Sequence, residues 1–286
     1  MSVARGTIRL RDGLSGAAVW CAALGVAGVF LWVVGDIVMH GAGHLDWGFI
    51  TRAPSDAGRA GGIGPILVST GLVLAVCMAV AVPIALGAAM FLAEIRRGGG
   101  AVGTVVRRSL DVLAGVPSIV FGLFGAVFFG QVLGFGFSIL SGGLTLACMV
   151  LPILIRTTES AFLGLGSEYR LGAAALGLGP ASILLKVLLP MALPGVAVGL
   201  VLGIGRALAE TAALIFTSGY VDRMPGSLLD SGRVLSIHIL DLAMNVPGGN
   251  GNAYASAAVL LVLLLTINLG AQWMAERWIG HGITRS

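Results

Sequence analysis

Long charge-free apolar runs separated by short polar segments organise this chain. Leu14 to Gly35 is 22 residues without a charge, and Ile66 to Ala93 is a second run interrupted only by Pro83. Val112 to Ile155 is charge-free for 44 residues, roughly 66 Å as one helix at ~1.5 Å per residue. A bilayer core is only ~30 Å thick, so this block divides into two spans. The glycine-rich stretch Gly130 to Gly143 is the natural turn between them. The expected spans are therefore 14–35, 66–93, 112–130, 138–155, 191–217 and 253–275. The runs are continuous rather than alternating, which excludes a β-barrel. The pattern predicts an all-α membrane protein with six transmembrane helices in one domain, 14–276, and short tails at 1–13 and 277–286.

Composition agrees: 57% of residues are hydrophobic and 10% charged, against roughly 25% charged in soluble domains. With a cytoplasmic N-terminus, the inside receives Arg5, Arg9, Arg11, Arg96, Arg97, Arg107, Arg108, Arg156, Arg170, Lys186, Arg277 and Arg285. The outside receives only Arg52, Arg59, Arg223 and Arg233. Twelve against four predicts that both termini are cytoplasmic. The net charge of +4 is then mostly topology, with no nucleic acid implied. The first run follows a basic start, but its 22 residues exceed a typical signal-peptide core, so an uncleaved span is expected.

Enzyme chemistry is not visible. Lys186 is the only lysine and follows Leu184 and Leu185 rather than a glycine-rich loop, so there is no phosphate cradle for ATP. No catalytic residue, cofactor or metal is expected. His40 and His44 have a ligand-like spacing but no further His or Cys nearby, and read as part of a solvated loop. Cys21, Cys77 and Cys148 fall in spans and read as small packing residues.

Two stretches carry the functional signal. In the fifth span, Gly195, Gly199 and Gly203 recur every four residues and let two membrane helices approach closely. Arg206 and Glu210 flank that stripe, one turn apart, with Thr211 next. An arginine at mid-span costs about 2.5–3.5 kcal/mol and must face protein or a water-filled path. The pair either pins one helix to its neighbour or serves a transport route. Before this span lies a polar segment, Arg156 to Pro190. Leu171 to Leu178 are good helix formers, and Gly179-Pro180 break the run before it returns to the membrane. Such a segment is either an ordinary loop helix or a plug for a partner.

The loop resembles the cytoplasmic loop of the integral membrane subunits of ATP-driven importers. Gly177, Val187, Leu189 and Pro190 fall at the spacing of that motif, whereas Leu171, Gly172 and Ala173 stand where Glu-Ala-Ala is usual. Four further stretches resemble the A-type permease of the phosphate-specific importer: Gly61 to Pro65, Ala114 to Gly125, Leu151 to Glu159, and Arg206 to Ala212. Ala209 stands where that family usually has glycine. The resemblance implies a permease of the inner membrane that translocates inorganic phosphate. It also implies a heterodimer with a related permease, two copies of a cytoplasmic ATP-binding subunit, and an extracytoplasmic phosphate-binding protein. Leu171, Gly172, Ala173, Gly177, Val187, Leu189 and Pro190 would couple to the ATPase, with Gly177 in a tight turn. Arg206, Glu210 and Thr211 would line the path. A permease for molybdate, sulfate or phosphonate, or a proton-coupled secondary transporter using Glu210, is the alternative.

Overall fold

A computed structural model describes residues 2–98 and 101–283. The elements in chain order are α1 (Ser2–Gly41), α2 (Trp47–Thr51), α3 (Gly64–Gly98), α4 (Ala101–Ala114), α5 (Ser118–Gly125), α6 (Ile139–Leu163), α7 (Ser167–Ala175), α8 (Pro180–Ser182), α9 (Leu189–Leu208), α10 (Ala212–Ile215), α11 (Leu235–Met244) and α12 (Asn250–Ile283). A π-helical turn, Ala126–Val132, continues α5, and another, Ile183–Leu188, joins α8 to α9. Among the described residues, five helical stretches are long and apolar enough to cross a membrane, and six if the bent pair α4–α5 is one span. The only strands among the described residues form a two-rung antiparallel ladder, β1 (Pro54–Ser55) with β2 (Ala60–Gly61).

The core is the α3–α6 contact. Val73, Cys77, Ala81, Ala85 and Ala89 recur every four residues along α3, and each is at most 2% exposed. That spacing places them on one face of the helix. Small side chains there let α3 and α6 approach closely, and dispersion between packed helices replaces the hydrophobic drive that lipid does not supply. From α6, Leu146, Ala147, Val150 and Leu154 fill the same cluster. By contrast, α1 leaves its apolar side chains exposed and packs chiefly against α12. Near the end of α1, His40 lies 3.1 Å from Asp36 and 5.0 Å, ring centre to ring centre, from Tyr254. His40 is thus a helix residue packed on α12, unlike the solvated loop expected; among the described residues no three His, Cys, Asp or Glu gather as for a metal.

Four segments differ from the sequence reading. The expected third span, 112–130, is broken: α4 and the α5 stretch meet at 97° across Gly115-Val116-Pro117. Pro117 cannot donate a helical hydrogen bond, and it disfavours the helical conformation for Val116. Residues 112–114 therefore belong to α4, whose exposed Val105 and Val112 lie beside half-buried Arg107. The expected fifth span, 191–217, ends at Leu208, and its helical stretch begins at Pro180. The polar segment 156–190 is mostly helix, because α6 runs to Leu163 and the stretch after Pro180 buries Ile183 and Leu188. Finally, α11 is an additional ten-residue apolar helix, too short to span, buried beside α3 and α12. The terminal residues of the tail 277–286, 284–286, lie outside the described residues, and the 1–13 stretch continues α1 from Ser2.

At the end bearing α4 and α7, ion pairs tie the helices together. Arg107 Nε donates to Glu159 Oε1 at 2.7 Å, and its Nη2 donates to the Leu92 carbonyl at 3.0 Å. One side chain thereby joins α4, α6 and α3. Arg156 pairs with Asp111, and Arg170 of α7 pairs with Glu94 of α3. The Glu159 side chain is only 4% exposed, so its pair is the desolvated one.

Candidate functional site

The site is built where α9 stops. Its small-residue face lies on α6: a Cβ added at Gly203 would come within 2.9 Å of Val150 and 3.0 Å of Leu154. Gly195 faces Ala161 and Gly199 faces Thr157 in the same row. Larger side chains at these positions would push the two helices apart. The close contact fixes the last turn of α9, and with it the direction in which Arg206 leaves the helix.

Arg206 sits in that last turn rather than at mid-helix. Its side chain is 52% exposed in the isolated chain, and its guanidinium lies 4.0 Å from the Met149 sulfur on α6. Glu210 follows the break and is 6% exposed. Its Oε2 lies 3.7 Å from Arg206 Nη2, and its Oε1 accepts from the Ala213 amide at 3.2 Å. The carboxylate therefore caps the first turn of α10 while facing the arginine. A carboxylate at a helix start satisfies an otherwise unpaired amide. Thr211 is half-buried in the turn between them. The arrangement leaves one fixed, half-exposed positive charge with a buried anionic partner. It can attract an anion without closing a tight binding cage around it.

The segment expected to couple to a partner lies at the other end of α9. In α7, Ala173 is buried against the cluster of Ala93, Phe162, Ile183 and Leu188. Leu171 is 68% and Leu176 83% exposed, and Tyr169 and Gly172 lie on the surface too. Gly177 closes the helix at φ +78° with nothing within 4 Å of an added Cβ. Only glycine takes that left-handed conformation without strain. Val187, Leu189 and Pro190 are not in a loop but at the start of the long helical stretch, so the segment and the fifth helix are mechanically continuous. The two groups of site residues thus sit at opposite ends of one helix.

Residues that the sequence reading did not single out complete both ends. Ser236 of α11 donates to the Glu210 carbonyl, and Thr70 of α3 accepts from the Leu235 amide. Arg107, Asp111 and Glu94 hold the opposite end. Thr70 and Ser236 are polar residues within apolar segments, whereas Arg107, Asp111 and Glu94 lie in the charged stretches that flank the apolar runs.

The chain was compared with known proteins. Residues 81–279 match the family described as binding-protein-dependent transport system inner membrane component. The probable ABC transporter permease protein YqgI of Bacillus subtilis is 29% identical over 94% of this chain and 95% of its own length. The phosphate transport system permease protein PstA 2 of Mycobacterium bovis is 29% identical over 94% of this chain and 90% of its own. In structure, the chain is similar to one from inward-facing conformations of the MetNI methionine ABC transporter, with a TM-score of 0.60. That match covers 75% of this chain and 96% of the other at 18% identity, and shows the fold alone.

Proposed function

We propose that this chain, which belongs to the family of binding-protein-dependent transport system inner membrane components, is the A-type permease subunit of a phosphate importer. Membership makes it a membrane subunit without an ATPase domain of its own, served by a partner ATPase and a substrate-binding protein. The phosphate assignment is carried by the half-exposed Arg206 guanidinium held against buried Glu210. Phosphate, by analogy with phosphorylated side chains, carries more than one negative charge at neutral pH, and a single fixed cation lowers its entry cost without trapping it. Similarity to a phosphate transport permease over 94% of the chain supports the same substrate.

The exposed apolar face of α7 is the surface on which one ATP-binding subunit docks, with Leu171 and Leu176 as its anchors. Gly172, Ala173 and Gly177 shape that helix, and Val187, Leu189 and Pro190 pass its movement into α9. ATP binding closes the ATPase pair, α7 moves with it, and the far end of α9 shifts Arg206 and Glu210. Exposed Ile119 and Leu123 on α5 and Val127 in the following π-turn belong to the contact with a related permease in a heterodimer.

The orientation puts both termini and α7 in the cytoplasm, from the twelve-to-four basic bias. Single cysteines at Ser167 and Ser227, in a chain cleared of Cys21, Cys77 and Cys148, are expected to react with an impermeant thiol reagent from inside and outside respectively. Labelling of Ser167→Cys from outside would overturn the orientation and the docking site together.

The substrate is tested by reconstituting the chain with its companion permease and ATPase in proteoliposomes. Labelled phosphate is expected to enter only with ATP and the loaded binding protein. Entry of molybdate, sulfate or phosphonate in its place would reassign the anion. Uptake driven by a proton gradient without ATP would make it a secondary transporter.

A further inference from the structure

We infer that Ser236 is a positioning residue for transport: it fixes the backbone of the break after α9 so that Glu210 stays aimed at Arg206. The inference rests on the transport role proposed for that pair. Glu210 is held at two points, one three residues away in the chain and one 26 residues away. Its carboxylate caps α10 through the Ala213 amide, and its main-chain carbonyl accepts from Ser236 Oγ at 2.6 Å. Ser236 and Glu210 are both buried, so water does not readily replace that bond.

What makes Ser236 a fixed point is the seating of α11. The Leu235 amide donates to Thr70 Oγ1 at 2.9 Å, and Thr70 in turn donates to the Ile66 carbonyl at 2.7 Å. The other side of α11 is held by the Arg233–Asp241 pair at 3.1 Å, with both side chains under 20% exposed. The first turn of α11 is therefore bolted to α3, and Ser236 extends that anchorage to the one place where the α9 stretch loses helical order. The three residues Ala209 to Thr211 have no helix of their own to define their conformation. The Ala209 and Glu210 amides still reach back to Gly205 and Ala207 of α9, and the Ser236 hydroxyl holds the Glu210 carbonyl from the other side.

The test is a double-mutant cycle on ATP-driven phosphate uptake in proteoliposomes, using Ser236→Ala, Glu210→Gln and the pair. A lost neutral hydrogen bond typically changes an equilibrium or rate by roughly 2- to 12-fold. Ser236→Ala is expected to lower uptake by that factor with normal ATPase association, and Ser236→Thr, which keeps the hydroxyl, to restore most of it. In the Glu210→Gln background, Ser236→Ala is expected to add little, because its effect passes through Glu210. If Ser236→Ala fails to assemble, Ser236→Cys takes its place in the cycle with the same expectations. Multiplying effects, no rescue by threonine, or wild-type uptake with the hydroxyl removed would each overturn the positioning role. Wild-type uptake by Arg206→Ala would instead remove the parent reading, and the inference with it.

Discussion

Replacing Arg206 with alanine is expected to reduce phosphate uptake to background while the chain remains inserted and bound to its partners. The hypothesis follows from charge and exposure. A multiply charged anion entering a dry helix bundle loses hydration, and a fixed cation along the route offsets part of that loss. Arg206 is the basic residue at the end of a membrane helix that faces open space, with 52% of its side chain exposed. Because Glu210 is buried, losing its partner also costs stability, so expression and partner association are measured alongside uptake. The Ala213 amide still satisfies one oxygen of Glu210 after the guanidinium is gone. Glu210→Gln keeps that cap, since the amide oxygen can accept the same bond, and is expected to impair uptake more mildly. Uptake at the wild-type rate in Arg206→Ala, with assembly verified by co-purification of the ATPase, would show that the pair only pins α9 to α10.

The largest stability effect is expected at Glu159. Removing one partner of a buried pair costs about 3–5 kcal/mol, because the other charge is left without compensation. Arg107 and Glu159 are 18% and 4% exposed, and the same guanidinium also holds the Leu92 carbonyl. Glu159→Ala should therefore loosen the α3–α4–α6 end and sharply lower the amount of folded chain recovered in detergent. Asp111→Asn is the comparison, because Asp111 is 64% exposed and its pair with Arg156 belongs to the class worth about 0–1 kcal/mol. Equal thermal unfolding curves for the two variants would mean that the Arg107–Glu159 contact carries no stability. A Glu159→Leu, Arg107→Leu double variant should recover part of the loss, since an apolar pair removes both desolvated charges.

The spans were legible because lipid imposes a length and forbids charge, and both requirements are written in consecutive residues. Where the structure departs from the runs, the deciding contacts are distant in sequence. Nothing in Ala209-Glu210-Thr211 stops a helix by itself, as no proline or glycine is present. At the break Glu210 caps Ala213, and its carbonyl is held by Ser236, 26 residues further on. Pro117 did signal a bend, but not its angle of 97°, which accompanies a contact between Arg107 and Glu159 across 52 residues. The short helix α11 escaped the reading because ten residues fall below the length that marks a span. In the candidate site, the stripe of glycines and the Arg206–Glu210 spacing could be read directly. Their lateral supports could not, because a serine on a buried helix carries no periodic signature.

The α5 stretch is short for a membrane span. From Ser118 to Val132 the helix and its π-turn extend only roughly 22 Å at ~1.5 Å per residue, against a hydrocarbon thickness of ~30 Å. A segment that falls short draws the lipid surface inward or is met by water and polar headgroups. In the proposed heterodimer the companion permease would cover this short segment, so the mismatch would be met by protein rather than by a deformed bilayer, and association of the two subunits would gain from it.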